Sequence, residues 1–280
     1  MTTALYAARN FVKALLLLGG LVALFTALGW WINGFGLASL FFVASLLMAA
    51  TIHWYGPRIV LASLGARELT LAEAPLLHST IERLAAAAKV ERPKLYLLEE
   101  GHPHALSVGR GASSFGVAVS QGLLSVASPA ELEGILAHEI AHARYRDVAV
   151  VTPLVVLAGW LVEVSRIGGF LERVLLFVLG PLAASLVQVL LSPKREFAAD
   201  ALAAHVCGTP HGLADALVRL EQAQELVTFQ ASPTTAPLYT VNPFPSDGIA
   251  ALFETHPSIG ERVRRLRSLD PDWREKLRAA

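Results

Sequence analysis

The chain has 280 residues, 54% of them hydrophobic and 16% charged, with 23 basic and 23 acidic side chains. A net charge of zero and a mean hydropathy of +0.51 leave neither a basic face for a phosphate backbone nor the composition of a disordered chain. Nucleic-acid partners are therefore not expected. The lone Cys207 permits no internal disulfide and no thiolate cluster, which fits a reducing compartment and a packing role.

From Ala14 to Pro57 there is no Asp, Glu, Lys or Arg. The stretch breaks at Trp30, Trp31, Asn33 and Gly34 into two runs, Ala14 to Trp31 and Phe35 to Trp54, each long enough to cross about 30 Å of hydrocarbon. A helical hairpin is predicted, occupying residues 1–60. Arg9 and Lys13 precede it, Arg58 and Arg67 follow it, and the turn is uncharged, so both flanks are expected on the cytoplasmic side. Trp54 and Tyr55 suit an interfacial belt at the second exit. Two spans after a short basic start, without a small-residue cleavage site, argue against a cleavable signal.

Thr70 with Glu73 predicts a helix opening there and running to about Ala88, with Leu71, Leu76, Ile81 and Leu84 as its apolar stripe. Lys94 to Leu98, Ala105 to Val108 and Phe115 to Val119 read as strands of a small antiparallel sheet, with Gly109, Gly111 and Gly122 marking the turns. An exposed strand edge in such a sheet could pair with an extended peptide. Which strand is the edge is not legible.

Ser128, Pro129 and Glu131 then form a complete helix start: N-cap, first helical residue and capping-box acid. The helix carries His138, Glu139 and His142 in an H-E-x-x-H pattern. Histidines at i and i+4 project from one face and can grip one Zn²⁺, and Glu139 sits beside the metal as a base for its water. Two imidazoles and a carboxylate buried without a cation would cost several kcal/mol. The next runs, Val148 to Val162 with Pro153 inside and Val174 to Leu191, predict a second membrane hairpin over residues 148–192, turning near Ser165 to Glu172. Helices lying on the bilayer or on the catalytic domain are the competing reading.

In SPKREFAADALAAHV, Glu196 and Asp200 share one helical face. Glu196 is the expected third zinc ligand; Asp200 is expected to accept the free ring N–H of a ligand histidine, His138 in the first instance. His205 is rotated off that face, whereas His256, before Pro257, stays open as a ligand. Pro210 starts a fresh helix with Leu213, Leu217 and Leu220 on one side. Thr228 to Gly248, rich in Pro, Ser and Thr, reads as a mobile loop. The tail is a basic amphipathic helix in which Arg262 is expected as a clamp or as a charge near the site, with a salt bridge to the catalytic helix as its simplest role.

HEIAHARYRD and SPKREFAADALAA, together with AVSQGLL (Ala118 to Leu124) and THPSIGERVRRL (Thr255 to Leu266), make the chain resemble, over essentially its whole length, the HtpX family of membrane zinc endopeptidases, relatives of the CAAX prenyl protease. The resemblance implies zinc held by His138, His142 and Glu196, with Glu139 as catalytic base. Members usually have asparagine after the proline in the block matching Pro103 to Leu106; here it is His104. The expected fold is α+β: a mainly helical zincin-like catalytic domain with a small antiparallel sheet, attached to transmembrane helices and split as 61–147 and 193–280 around the second hairpin. The expected enzyme is a membrane endopeptidase with one Zn²⁺ per chain, its catalytic domain cytoplasmic. Its expected substrates are peptides or membrane proteins, in particular misfolded or damaged membrane proteins, at the lipid bilayer; homo-oligomers are left open. His104 and His256 are the two options for an oxyanion donor. The alternative function is a non-proteolytic membrane protein with a structural zinc, which requires four closed protein ligands.

Overall fold

Alternation along three short strands divides their side chains between two helical layers. The computed structural model describes residues 3–167, 181, 184–224, 233–241, 256–270 and 272. Its helices are α1 (Thr3–Ser63), α2 (Pro75–Ala88), α3 (Gln121–Val126), α4 (Pro129–Arg144), α5 (Val148–Ile167), α6 (Lys194–Cys207), α7 (His211–Gln224) and α8 (Ile259–Ser268); its strands are β1 (Arg67–Glu68), β2 (Lys94–Leu98), β3 (Ala105–Gly111) and β4 (Ser114–Ser120). Leu95, Ala105, Val117 and Val119 face α2, α4, α6 and α7, whereas Leu98, Leu106, Val108 and Ala118 face α5 and the end of α1. The period of two thus builds two cores from one sheet.

The strand order is β1-β2-β4-β3. The expected antiparallel sheet is corrected here to a mixed one: β1–β2 and β3–β4 are antiparallel, but β2 and β4 are parallel. The reason is that the β3–β4 hairpin lies with β4 inward, so the chain leaving β2 must pass the next strand position before it enters β3. β3 is left at the edge nearest α4. The two-residue β1 was not legible as a strand.

Thr70 and Glu73 do make the expected contacts, Glu73 Oε2 accepting from Thr70 N at 2.8 Å and from its hydroxyl at 2.7 Å. The helix itself begins later, at Pro75, whose fixed φ suits a first helical turn. At α4 the capping box is complete: Ser128 N donates to Glu131 Oε2 at 2.7 Å, and Ser128 Oγ accepts from Glu131 N.

α1 is interrupted at Asn33 (φ −150°) and Gly34 (φ +60°). The chain reverses there, because the rings of Phe25 and Phe41 lie 6.4 Å apart, where sixteen residues of straight helix would separate them by about 24 Å. The two legs of α1 therefore lie side by side as a helical hairpin. Among the described residues this is the one helix long and apolar enough to cross a membrane, and its Leu24, Trp31, Phe35 and Leu47 are exposed. The chain turns by 89° from α4 into α5, and Val148 to Ala158 pack inside the protein against α1 and β3. The turn expected for a second hairpin lies largely outside the described residues.

The segment expected as a mobile loop differs from that reading over 233–241. Pro233–Leu238 is a 3₁₀ helix, Tyr239 bridges antiparallel to Leu106 on the edge of β3, and Ala236 and Tyr239 are buried. Alanine and tyrosine supply an apolar anchor that the Pro and Thr content masked. The flanking 225–232 and 242–255 lie outside the described residues.

Candidate metal centre

The capping box holds α4 rigid, and its i, i+4 spacing brings the His138 and His142 rings together, Nε2 to Nε2 3.1 Å. α6 crosses α4 and delivers Glu196, whose Oε2 is 3.3 Å from His138 Nε2 and whose Oε1 is 3.8 Å from His142 Nε2. Donors on one tetrahedral zinc, at about 2.0–2.2 Å each, are roughly 3.3–3.5 Å apart. One donor atom from each of the three residues lies within 4.8 Å of the others, and all three residues are buried. Among the described residues this cluster has three members, not the four that close a structural site.

The outer side of each ring is occupied. His138 Nδ1 is 2.9 Å from Asp200 Oδ1, the contact expected from the shared face of α6. His142 Nδ1 is 2.9 Å from Asp147 Oδ2. The second contact arises because Arg146, in the left-handed region at φ +61°, ends α4 in a Schellman turn, with Asp147 N donating to His142 O at 2.8 Å and Arg146 N to Ala143 O. The turn folds Asp147 back onto the helix. With Asp200 and Asp147 beside the two Nδ1 atoms, both Nε2 atoms and the Glu196 carboxylate face one point, a donor set suited to a metal cation.

Formal charge gives the same answer. Glu139, Asp147, Glu196 and Asp200 are buried with only Arg195 and Arg262 among the described cations, a formal excess of two negative charges that a divalent ion would balance. Burial opposes the charge of Glu196, but Arg195, His142 and the hydrogen bond with His138 outweigh it and hold its carboxyl well below the usual carboxylate range. For His138, burial is likewise overcome, by Asp200 and Glu196, and its pKa rises to about 9. A proton or a metal is held between these groups.

Glu139 is clasped on both oxygens: Ser107 Oγ donates to Oε2 at 2.7 Å and Thr240 Oγ1 to Oε1 at 2.7 Å. Ser107 follows from the strand period, since it shares the α4 face with Ala105. Thr240 had no signal in the sequence. Arg262 clamps Asp200 with two bonds, Nε to Oδ2 at 2.9 Å and Nη2 to Oδ1 at 2.7 Å, and Nη1 donates to Thr240 O at 2.6 Å. Its partner is thus on α6, not on the catalytic helix as expected. The neighbouring Asp200 and Glu196 carboxylates raise its pKa against the opposing effect of burial.

His256 reaches the cluster, Nε2 3.6 Å from Glu196 Oε1, and burial lowers its pKa to about 3, so it is neutral. His104 faces Glu100 Oε1 at 3.1 Å and packs edge-on to Tyr239, with ring centroids 5.0 Å apart. His205 is exposed on α6. Cys207 contacts Glu133 O at 3.8 Å, and burial pushes its thiol up to about 11.

A mixed sheet, a helix bearing two histidines and a glutamate, and a crossing helix bearing the third donor, all carried on a membrane-length hairpin, define a zincin-like metallopeptidase. The model of peptidase family M48 matches residues 71–270. "Protease HtpX homolog" of Sulfurihydrogenibium sp. (strain YO3AOP1) is 36% identical over 93% of this chain and 96% of its own, and that of Acidiphilium cryptum (strain JF-5) is 38% identical over 93% and 96%. Among solved structures, S. mikatae Ste24p is similar at 19% identity and a TM-score of 0.49, over 93% of this chain and 66% of that one. The chain belongs to peptidase family M48, to its HtpX group of zinc-dependent, membrane-associated endopeptidases.

Proposed function

We propose that His138, His142 and Glu196 hold one catalytic Zn²⁺ and that Glu139 is the general base of peptide-bond hydrolysis. The observation that carries this is the convergence of two imidazole lone pairs and a buried carboxylate whose outer partners are already committed. When bound, zinc supplies Lewis acidity to the scissile carbonyl and makes water acidic enough to lose a proton near neutral pH. Glu139 takes that proton and passes it to the leaving amine nitrogen. Ser107 and Thr240 aim its carboxylate, and Thr240 must release one oxygen as it does so. Neutral His256 is better placed than His104 to donate to the developing oxyanion, because it adjoins Glu196. An extended substrate would pair antiparallel with the β3 edge, where Tyr239 and Thr240 now lie.

The chain would cross the bilayer at least twice, with both ends of the first hairpin cytoplasmic, as the charges at Arg9, Lys13 and Arg58 favour. Residues 148–192 are assigned to a second hairpin, so that 61–147 and 193–280 form one catalytic domain at the membrane surface. That position suits misfolded or damaged membrane proteins as substrates. The test is Glu139→Gln in the full-length protein. Metal content by emission spectroscopy should stay at one zinc per chain while cleavage of an unfolded model protein is lost; His142→Ala and Glu196→Gln should lose the metal. Full proteolysis by the Glu139 variant would end the assignment.

A further inference from the structure

A cavity of about 660 Å³ opens where α1 meets the domain. Phe11, Ala14, Leu15 and Leu18 of the first hairpin leg give it an apolar lining. Lys89, Arg110 and Arg146 line it too, with Glu91 as its one acidic residue and His53 from the second leg. The Arg110 guanidinium lies 4.5 Å over the Trp54 ring and that of Arg146 lies 5.6 Å over Phe11. The cations therefore sit at the level where both legs leave their uncharged stretch. Among the described residues none of the three has a carboxylate within salt-bridge distance.

The backbone points the same way. Among the described residues only two non-glycine positions have positive φ, and they are Lys89 (φ +57°) and Arg146 (φ +61°), both on this cavity. Glycine adopts that conformation at least cost. Two long cations held there in place of glycine are explained if their charges are used.

We propose that this cavity binds an anionic phospholipid, its phosphate between Arg110, Arg146 and Lys89 and its acyl chains along Phe11, Leu15 and Leu18. Paired guanidiniums match phosphate oxygens, the volume is that of a small-molecule site, and basic pockets beside membrane helices select acidic headgroups. The lipid would fix the catalytic domain against the headgroup layer at the end of the active-site helix.

The experiment is lipid retention by the full-length protein, delipidated in mild detergent, re-exposed to phosphatidylglycerol or phosphatidylcholine, and read by native mass spectrometry. Wild type should retain phosphatidylglycerol at least about tenfold better, given roughly 1 kcal/mol for each basic side chain. Arg146→Gly should unfold at no lower temperature, since glycine suits its φ, yet lose much of that preference; adding Arg110→Gln should abolish it, while the exposed Arg264→Gln on α8 should retain it. Equal retention of the two lipids by wild type, unchanged preference in the double variant, or equal loss in the Arg264 variant would overturn the proposal. Displacement of the lipid by millimolar glycerol phosphate would do the same, by making the ligand a soluble phosphate. The wild-type comparison stands even where a variant fails to fold.

Discussion

Asp147 and Asp200 each hold the outer nitrogen of one histidine, but with different second partners. Asp200 is also the bidentate partner of Arg262, whereas Asp147 accepts from the Asn10 amide at 2.6 Å. Asp147→Asn and Asp200→Asn should each weaken zinc binding by about 10–100-fold, measured by competition with a chelator. Asp200→Asn should also lower stability, by up to about 3 kcal/mol, because it removes the bidentate carboxylate from a buried guanidinium that keeps only the more distant Glu196 as counter-charge. Similar unfolding temperatures for the two variants would refute that difference. Glu131 permits a pH test. Burial raises its pKa, but the Ser128 N–H and Arg219 bring the net value below the ordinary 4.5. A lowered folded-state pKa means that the stabilisation is complete above about 4.5 and fades as pH falls through the folded-state value. Glu131→Gln should therefore cost about 1 kcal/mol at neutral pH and converge with wild type in acid, as read by unfolding at a series of pH values. Of the site, His138, Glu139, His142, Glu196 and Asp200 were legible because helical spacing carries them. Asp147 was not, since its approach depends on a Schellman turn with arginine where glycine is usual, and Thr240 was not, since it comes from a segment without periodicity.

Elements were legible where one local rule sufficed. The capping box placed the start of α4, the period of two placed β2 to β4, and Asn33–Gly34 placed the reversal in α1. Pairing order was not legible, because which neighbour a strand takes depends on the packing of the β3–β4 hairpin against α4 and α5, which lies outside any one window. Burial of Tyr239 likewise depended on the edge of β3 being vacant. One interelement contact reverses the sign that local propensity gives. A Cβ on Gly134 of α4 would stand 2.5 Å from Leu213 N, and one on Gly212 would stand 2.3 Å from Ala130 O. Each opposing atom belongs to backbone, so neither can swing aside. Gly134→Ala, which would favour an isolated helix by about 1 kcal/mol, should instead destabilise the protein by about 1–3 kcal/mol through forcing α4 and α7 apart. An unfolding temperature equal to or above that of wild type would show that the two helices separate freely.

The apolar hairpin of α1 and the candidate metal centre are linked by one side chain. Asn10, in the first turns of α1, is buried and donates from Nδ2 to Asp147 Oδ1 at 2.6 Å and to Tyr145 O at 2.9 Å, while Tyr6 packs on Tyr145 with ring centroids 5.2 Å apart. Asp147 in turn holds His142. The position of Nδ1 on His142 thus depends on a residue well over a hundred positions earlier, on the apolar hairpin. Asn10→Leu keeps the side-chain volume and removes the donor. It should lower zinc affinity by roughly tenfold, as loss of an outer partner does, and shrink the rise in unfolding temperature that saturating zinc produces, since that rise follows the ratio of free metal to Kd. Lys13→Leu provides the comparison: Lys13 ties the same leg to Leu190 O at 2.5 Å but makes no hydrogen bond to Asp147. If loosening α1 were enough, both variants would release zinc alike; if the amide positions Asp147, only Asn10→Leu will.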